Sequence, residues 1–252
     1  MRKIFLTGVF MLFFTVSYAG LSVDPAVINV NLPVLSEYKG KYTIKNTYDF
    51  PITVLLKLED WNTYSGNADK DVHRWLKFDK EKYYISAGES VQPNYTISTA
   101  EDMKGSVSGR VYFSVEQEQA SMVSISISVP IYVTITDTEN IDFSIDSVDL
   151  TNAPNAINYK FVLKNEGNVH IRPSGIIEVF DKKKKKLIKT VSISETVPVY
   201  CENSREFVGN FVGKDGLKKG KYTAVFKISA FSREIEKEIK FKVSKMGEVA
   251  TQ

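Results

Sequence analysis

The sequence predicts an all-β chain, two tandem β-sandwich domains behind a cleaved leader. Three observations predict it. Short runs of alternating polar and apolar residues, rich in Val, Ile, Tyr and Phe, recur along the chain with turn residues between them. No stretch carries apolar residues at helical spacing over three turns. A positively charged start and then an apolar run fill the first 19 positions.

Residues 1–19 read as a signal peptide. Met1-Arg2-Lys3 supplies the positive end, residues 4–16 are nearly all apolar, and Ser17-Tyr18-Ala19 offers small residues where a signal peptidase reads. Cleavage is expected after Ala19. The apolar run is too short to cross a hydrocarbon core, which takes about 20 residues. No Cys comes directly after it, and residues 245–252 hold no hydrophobic tail. The mature chain of 233 residues is therefore expected to be exported, to the periplasm or cell surface, with no integral membrane segment after cleavage.

Composition narrows the function classes. Hydrophobic residues make up 43% and charged residues 25%, a soluble globular balance. Losing Arg2 and Lys3 with the leader lowers the formal charge from +3 to +1, so no nucleic-acid partner is expected. Two His and one Cys leave little for metal or thiol chemistry. No metal, no cofactor and no catalytic residue is expected. Cys201 has no partner for a disulfide and reads as a buried small hydrophobe on a strand.

Residues 22–30 open the first domain, and residues 41–46 alternate after them. Residues 52–61 come after a turn at Asp49-Phe50-Pro51. Residues 75–78 and 83–85 are short strands around a charged turn, and Ala87-Gly88-Glu89 is a turn before residues 91–97. Residues 109–115 and the long run 122–136 close the domain. A second series starts at Phe143 and includes residues 157–164, 175–180, 187–193, 205–212, 220–230 and 236–243. The expected domains are 20–137 and 141–245, with a linker at 138–140 and a disordered tail at 246–252. Each domain has the size of an immunoglobulin-like sandwich. The two halves show no close internal repeat.

The first domain carries a resemblance. It opens with Leu21-Ser22-Val23-Asp24-Pro25, and its second strand ends in Lys45-Asn46 with Pro51 five residues on. Ile85-Ser86-Ala87-Gly88-Glu89-Ser90 then precedes a strand, and Gly109-Arg110-Val111-Tyr112-Phe113 leads to a long final strand. This order resembles the N-terminal domain of periplasmic pilus-assembly chaperones. The resemblance implies a partner, an exported fimbrial or envelope subunit, bound by a lent strand. Val123, Ile125, Ile127, Val129, Ile131, Val133 and Ile135 occupy alternate positions of the last strand. Residues 129–135 are expected to pack the domain's own core, leaving Val123, Ile125 and Ile127 as the candidate partner-binding edge. The resemblance also implies a basic pair, on the first and last strands, holding the subunit's terminal carboxylate. Ala26 or Val27, and Pro130, stand at those positions and carry no charge; Arg110 and Lys45 are the nearby bases.

The second domain contains Asn165-Glu166-Gly167-Asn168-Val169-His170 before a strand. It resembles sandwich domains of bacterial envelope proteins with that turn. Gly167 and Asn168 are expected to supply positive φ for the reversal, and His170 to be a framework residue.

Other motifs carry little chemistry. Lys182, Lys183, Lys184, Lys185 and Lys186 read as a solvated hairpin tip or as a contact for an anionic envelope polymer. The loop 60–71 is rich in oxygen ligands, but its Gly66 and Tyr64 do not fit a calcium loop. His73 has no second imidazole near it. No nucleophile elbow, phosphate loop or zinc-protease helix occurs. Three readings remain: a non-enzymatic chaperone-like protein binding extended segments, a structural or adhesive surface component, and a polymer-binding module using the lysine tip.

Overall fold

A computed structural model describes residues 20–60, 71–116, 125–153, 156–181, 186–194, 197–212, 217–244 and 248–251. The expected leader, the loop 61–70, Val123 and Lys182 to Lys185 lie outside these. The described chain is nearly all strand, folded as two sandwiches in tandem.

The first sandwich is built from β1 (Leu21–Asp24), β2 (Ile28–Leu32), β3 (Glu37–Lys41), β4 (Thr43–Asn46), β5 (Ile52–Asp60), β6 (Leu76–Phe78), β7 (Lys82–Ile85), β8 (Ser90–Val91), β9 (Asn94–Ser98), β10 (Gly105–Val115) and β11 (Ser126–Ile135). One layer runs β2-β11-β10-β5-β7. The other is split into β1-β4-β8 and β3-β9-β6, bridged where Tyr42 donates its N–H to Pro93 at 3.0 Å. Inward side chains of both layers, among them Ile44, Ile97, Phe113 and Ile131, form one core. The first strand changes layers within a few residues. β1 pairs antiparallel with β4, the Asp24–Pro25 bond is cis, and β2 then pairs parallel with β11.

The second sandwich comprises β12 (Phe143–Ala153), β13 (Ala156–Asn165), β14 (Ser174–Asp181), β15 (Leu187–Ile193), β16 (Ser204–Val212), β17 (Gly220–Ala230), β18 (Arg233–Val243) and β19 (Val249–Thr251). Its layers run β12-β13-β16 and β15-β14-β17-β18-β19, with Phe161, Leu163, Phe226 and Phe241 buried between them.

Four expectations are corrected. Trp75 is not on a strand. Val72–Trp75 form a single helical turn, α1, capped by the Asp71 carboxylate, which accepts from the His73 N–H at 2.8 Å. Burial of Val72 and Trp75 decides it, because Gly109 on β10 lets both approach; a Cβ there would collide with the Val72 side chain. The tail expected to be disordered includes β19, whose Val249 N–H donates to the Asn152 side chain at 2.9 Å. Cys201 is buried as expected but lies in a turn after Tyr200, not on a strand. Neither Gly167 nor Asn168 has positive φ. Gly167 is needed for close approach instead, since a Cβ there would collide with the Asn140 carbonyl.

The same corner closes the same strand position in both sandwiches. Asn46 ends β4 and Asn165 ends β13, and both side chains are fully buried. The Asn46 amide donates to the carbonyls of Phe50, Ile85 and Ser86 at 2.8, 3.1 and 3.1 Å, and its oxygen accepts from Tyr48 at 2.9 Å. The Asn165 amide donates to Val169 and Val199 at 2.8 and 3.0 Å, and its oxygen accepts from Gly167 at 3.0 Å.

The domains meet through dense polar packing. Asn168 accepts through its carbonyl from Ser106 at 2.9 Å and donates through its side chain to Thr138 at 2.9 Å. Its side-chain oxygen accepts from Asn140 at 2.7 Å. Gly105, at φ +67, allows this contact; a Cβ there would collide with the Asn168 carbonyl oxygen. Gly105→Ala is therefore expected to push the domains apart and strain its own backbone. Its thermal unfolding should start several degrees below that of the native chain, at roughly 1–3 kcal/mol of lost stability.

Candidate functional site

The long strand β11 has two different edges. One edge pairs with β10 along its whole length, from Ser126 opposite Ser114 to Ile135 opposite Gly105. The other is covered by β2 only from Ile131 to Ile135. Among the described residues, no strand pairs with the second edge over residues 126–130.

The direction of the main-chain groups is fixed by the ladder. Val115 donates its N–H to the Ile125 carbonyl at 3.0 Å. In an antiparallel ladder such pairs recur at every second residue, so Ile125, Ile127 and Val129 bond β10. Ser126 and Ser128 turn their N–H and C=O groups to the open side. The far end agrees, since Thr136, at an even position, donates to Leu32 at the end of β2 at 2.9 Å. Pro130 sits where the open stretch meets β2, and it has no N–H to leave unpaired there. An edge of this kind is a template for another strand.

The candidate residues divide along this strand. Val129, Ile131, Val133 and Ile135 are buried in the first core. Ile127 is half-buried and packs on that core's margin, and Ile125 is half-buried at the open end. Ser126 and Ser128 face solvent between them. Lys186 is exposed just ahead of β15, where its carbonyl accepts from the Asp181 N–H at 3.0 Å. His73 is exposed on α1.

Where β2 begins to cover β11, the second domain comes close. Asn29 of β2 lies opposite Tyr132 of β11. The Tyr132 ring packs on His170 at 4.7 Å between centroids, and the Arg172 guanidinium lies 5.2 Å from the ring centre. The Tyr132 and Tyr200 hydroxyls are 3.3 Å apart. Burial pushes the Tyr200 hydroxyl pKa up, with the hydrogen bond and charge interaction of Tyr132 adding to it, while Arg110 and Arg172 pull the other way. His170 is thus a framework residue of the domain boundary. A cavity of about 300 Å³ opens beside it, lined by Asn29, His170, Arg172, Ser174, Ser229, Ala230 and Phe231.

The bases considered from sequence fall differently. Val27 is 41% exposed just ahead of β2, and Pro130 lies opposite Arg110, so neither expected position supplies charge. Lys45 is on β4 in the other layer, opposite Ser22 and Ser90. Arg110 donates to the Tyr112 hydroxyl at 3.2 Å on the face shared with Pro130. Arg172 was not expected at all. Its only signal in the sequence is its place two residues after His170, in a turn that gives no hint of which domain it faces.

No family model and no curated protein matches the chain. Its fold is similar to solved structures of fimbrial chaperones at low identity. The class 5 fimbriae chaperone CfaA is 14% identical, with a TM-score of 0.48, over 87% of this chain and 98% of that one. The Escherichia coli chaperone DraB is 15% identical with a TM-score of 0.43 over the same shares, 87% and 98%. A chaperone–tip adhesion subunit complex, CsuC–CsuE of Acinetobacter baumannii, gives 13% and 0.46, again over 87% and 98%. The functional reading rests on the strand edge and not on these likenesses.

Proposed function

We propose that this chain is an exported, non-enzymatic chaperone-like protein that binds extended segments of envelope or fimbrial subunits through the open edge of β11. In this reading residues 1–19 are the removed leader, and the mature chain divides at 20–137 and 141–245. The observation that supports it is the uncovered stretch 126–130, with outward main-chain groups at Ser126 and Ser128 and half-buried Ile125 and Ile127 beside them. A segment pairing there gains main-chain hydrogen bonds, and its alternate side chains cover the margin where Ile125 and Ile127 are half-buried.

Ser128→Pro is the variant that tests it. The proline ring fits an extended φ and removes one outward N–H without touching the bonds to β10. The tagged mature protein is purified from the native envelope fraction beside this variant, and co-purifying proteins are identified by mass spectrometry. The expected result is a stoichiometric β-rich subunit with the native chain, reduced at least about tenfold with Ser128→Pro, while both unfold at the same temperature. Recovery of the chain alone, or of the same subunit at the same yield with the variant, overturns the reading. Replacing Ile125 and Ile127 together by Asp is less clean, because Ile127 also packs on the core.

A further inference from the structure

The turn between β17 and β18 holds an unexpected residue. Ala230 pairs with Arg233, so Phe231 and Ser232 make a two-residue turn. Phe231 has φ 53°, and Ser232 is not among the residues with positive φ. That is the sign pattern of a type II′ turn, which takes Gly at its first central position. A bulky side chain there is under backbone strain. Phe231 is also 62% exposed, so the burial of its ring does not offset the strain. Strain of this sort collects where a side chain is presented for use.

The surroundings indicate the use. The hairpin is fixed right beside its turn, where Arg233 pairs with Asp142 at 2.7 Å and lies 5.9 Å from the Phe143 ring centre. Its tip overhangs the cavity that Asn29, His170, Arg172 and Ser174 also line. Asn29 belongs to β2 near the point where β2 starts to cover β11. The cavity therefore lies beside the start of β2, just past the uncovered edge 126–130, and a segment paired with that edge meets β2 next to it.

We infer that Phe231 is a contact supplied by the second domain to the end of that segment, its ring packing on an apolar side chain of the partner. The inference rests on the strand-edge reading above. It adds that recognition spans both domains: the edge of β11 reads the extended run, and the β17–β18 tip reads the residue at its end. Asn29, Ser174 and Arg172 offer the polar groups for the main chain there.

The probe is a fluorescently labelled peptide of ten residues, alternating Val and Thr and carrying Phe as its next-to-last residue. A second peptide has Ser in place of that Phe. Phe231→Gly relieves the strain and is expected to raise the unfolding temperature by roughly 2–5 °C. The same variant should bind the Phe peptide about 5–20-fold more weakly and the Ser peptide unchanged. Phe231→Tyr should restore binding of the Phe peptide. A Phe231→Gly chain that is more stable yet binds the Phe peptide like the native chain overturns the inference. Ser128→Pro separates the two claims. If it abolishes binding of both peptides while Phe231→Gly changes nothing, only the role of Phe231 fails. If it leaves binding intact, the strand-edge reading fails with it.

Discussion

Asn46→Asp is expected to unfold the first sandwich, or to lower its stability by about 3–5 kcal/mol, and Asn165→Asp to do the same to the second. The substitution is nearly isosteric, so the loss comes from chemistry and not from volume. In the native chain the Asn46 amide donates to the carbonyls of Phe50, Ile85 and Ser86. An aspartate turns an oxygen toward these acceptors and buries a charge with no cation among its partners. Burial raises the carboxyl pKa of the folded form, since the protonated acid can still donate one hydrogen bond. The variant's deficit is therefore smallest below the unfolded carboxyl pKa of about 4 and grows as pH rises through the raised folded value. Asn46→Ala orphans the same carbonyls without a charge and should cost less, about 2–3 kcal/mol, independent of pH. Melting curves of both variants at pH 4 and pH 7 check this. An Asp variant as stable as the native chain at pH 7 would show that the corner does not hold the domain.

The β-sandwich architecture was legible because both layers of each domain leave one face to solvent. That half-burial writes a period of two into residues such as 52–58 and 157–164. Single-turn and corner features were not legible. Trp75 looks like the start of a strand because it directly precedes Leu76-Lys77-Phe78, which alternates, and only packing against Gly109 reveals the helical turn. The Lys45-Asn46 and Lys164-Asn165 pairs were visible as strand ends. Their equivalence was hidden, because what repeats is a side chain acting as backbone, with different residues around it. Of the candidate site, the alternating run 123–127 was readable, but its open edge was not. Whether a strand has one neighbour or two depends on where β2 begins, and that is set by the switch of layers after Asp24–Pro25. Arg172 and Phe231 were out of reach for the same reason, since they matter through the other domain's approach to β11.

That approach makes Tyr132 the second large expectation. Tyr132→Ala should cost about 3–4 kcal/mol and replace one cooperative thermal transition by two, one for each sandwich. Tyr132 is 4% exposed, and its ring meets three groups of the second domain: the His170 ring, the Arg172 guanidinium and Tyr200. Removing the phenol leaves a cavity between the domains, while the first core, which lies on the other face of β11, keeps Ile131 and Val133. Tyr132→Phe keeps the ring and loses only the hydroxyl opposite Tyr200, a change of about 1 kcal/mol that should not split the transition. Calorimetry distinguishes the cases through the ratio of calorimetric to van't Hoff enthalpy. A single transition in Tyr132→Ala with an unchanged ratio would mean that the Asn168 and Ser106 contacts suffice to join the domains. Under the proposed function the effect should also reach the partner. Tyr132 lies two residues beyond Pro130 on the strand whose edge is open, and the cavity under Phe231 exists only while the second domain rests on that strand. Tyr132→Ala is therefore expected to weaken capture of the extended segment through loss of the second-domain contact, leaving the hydrogen-bonding groups of Ser126 and Ser128 as they are.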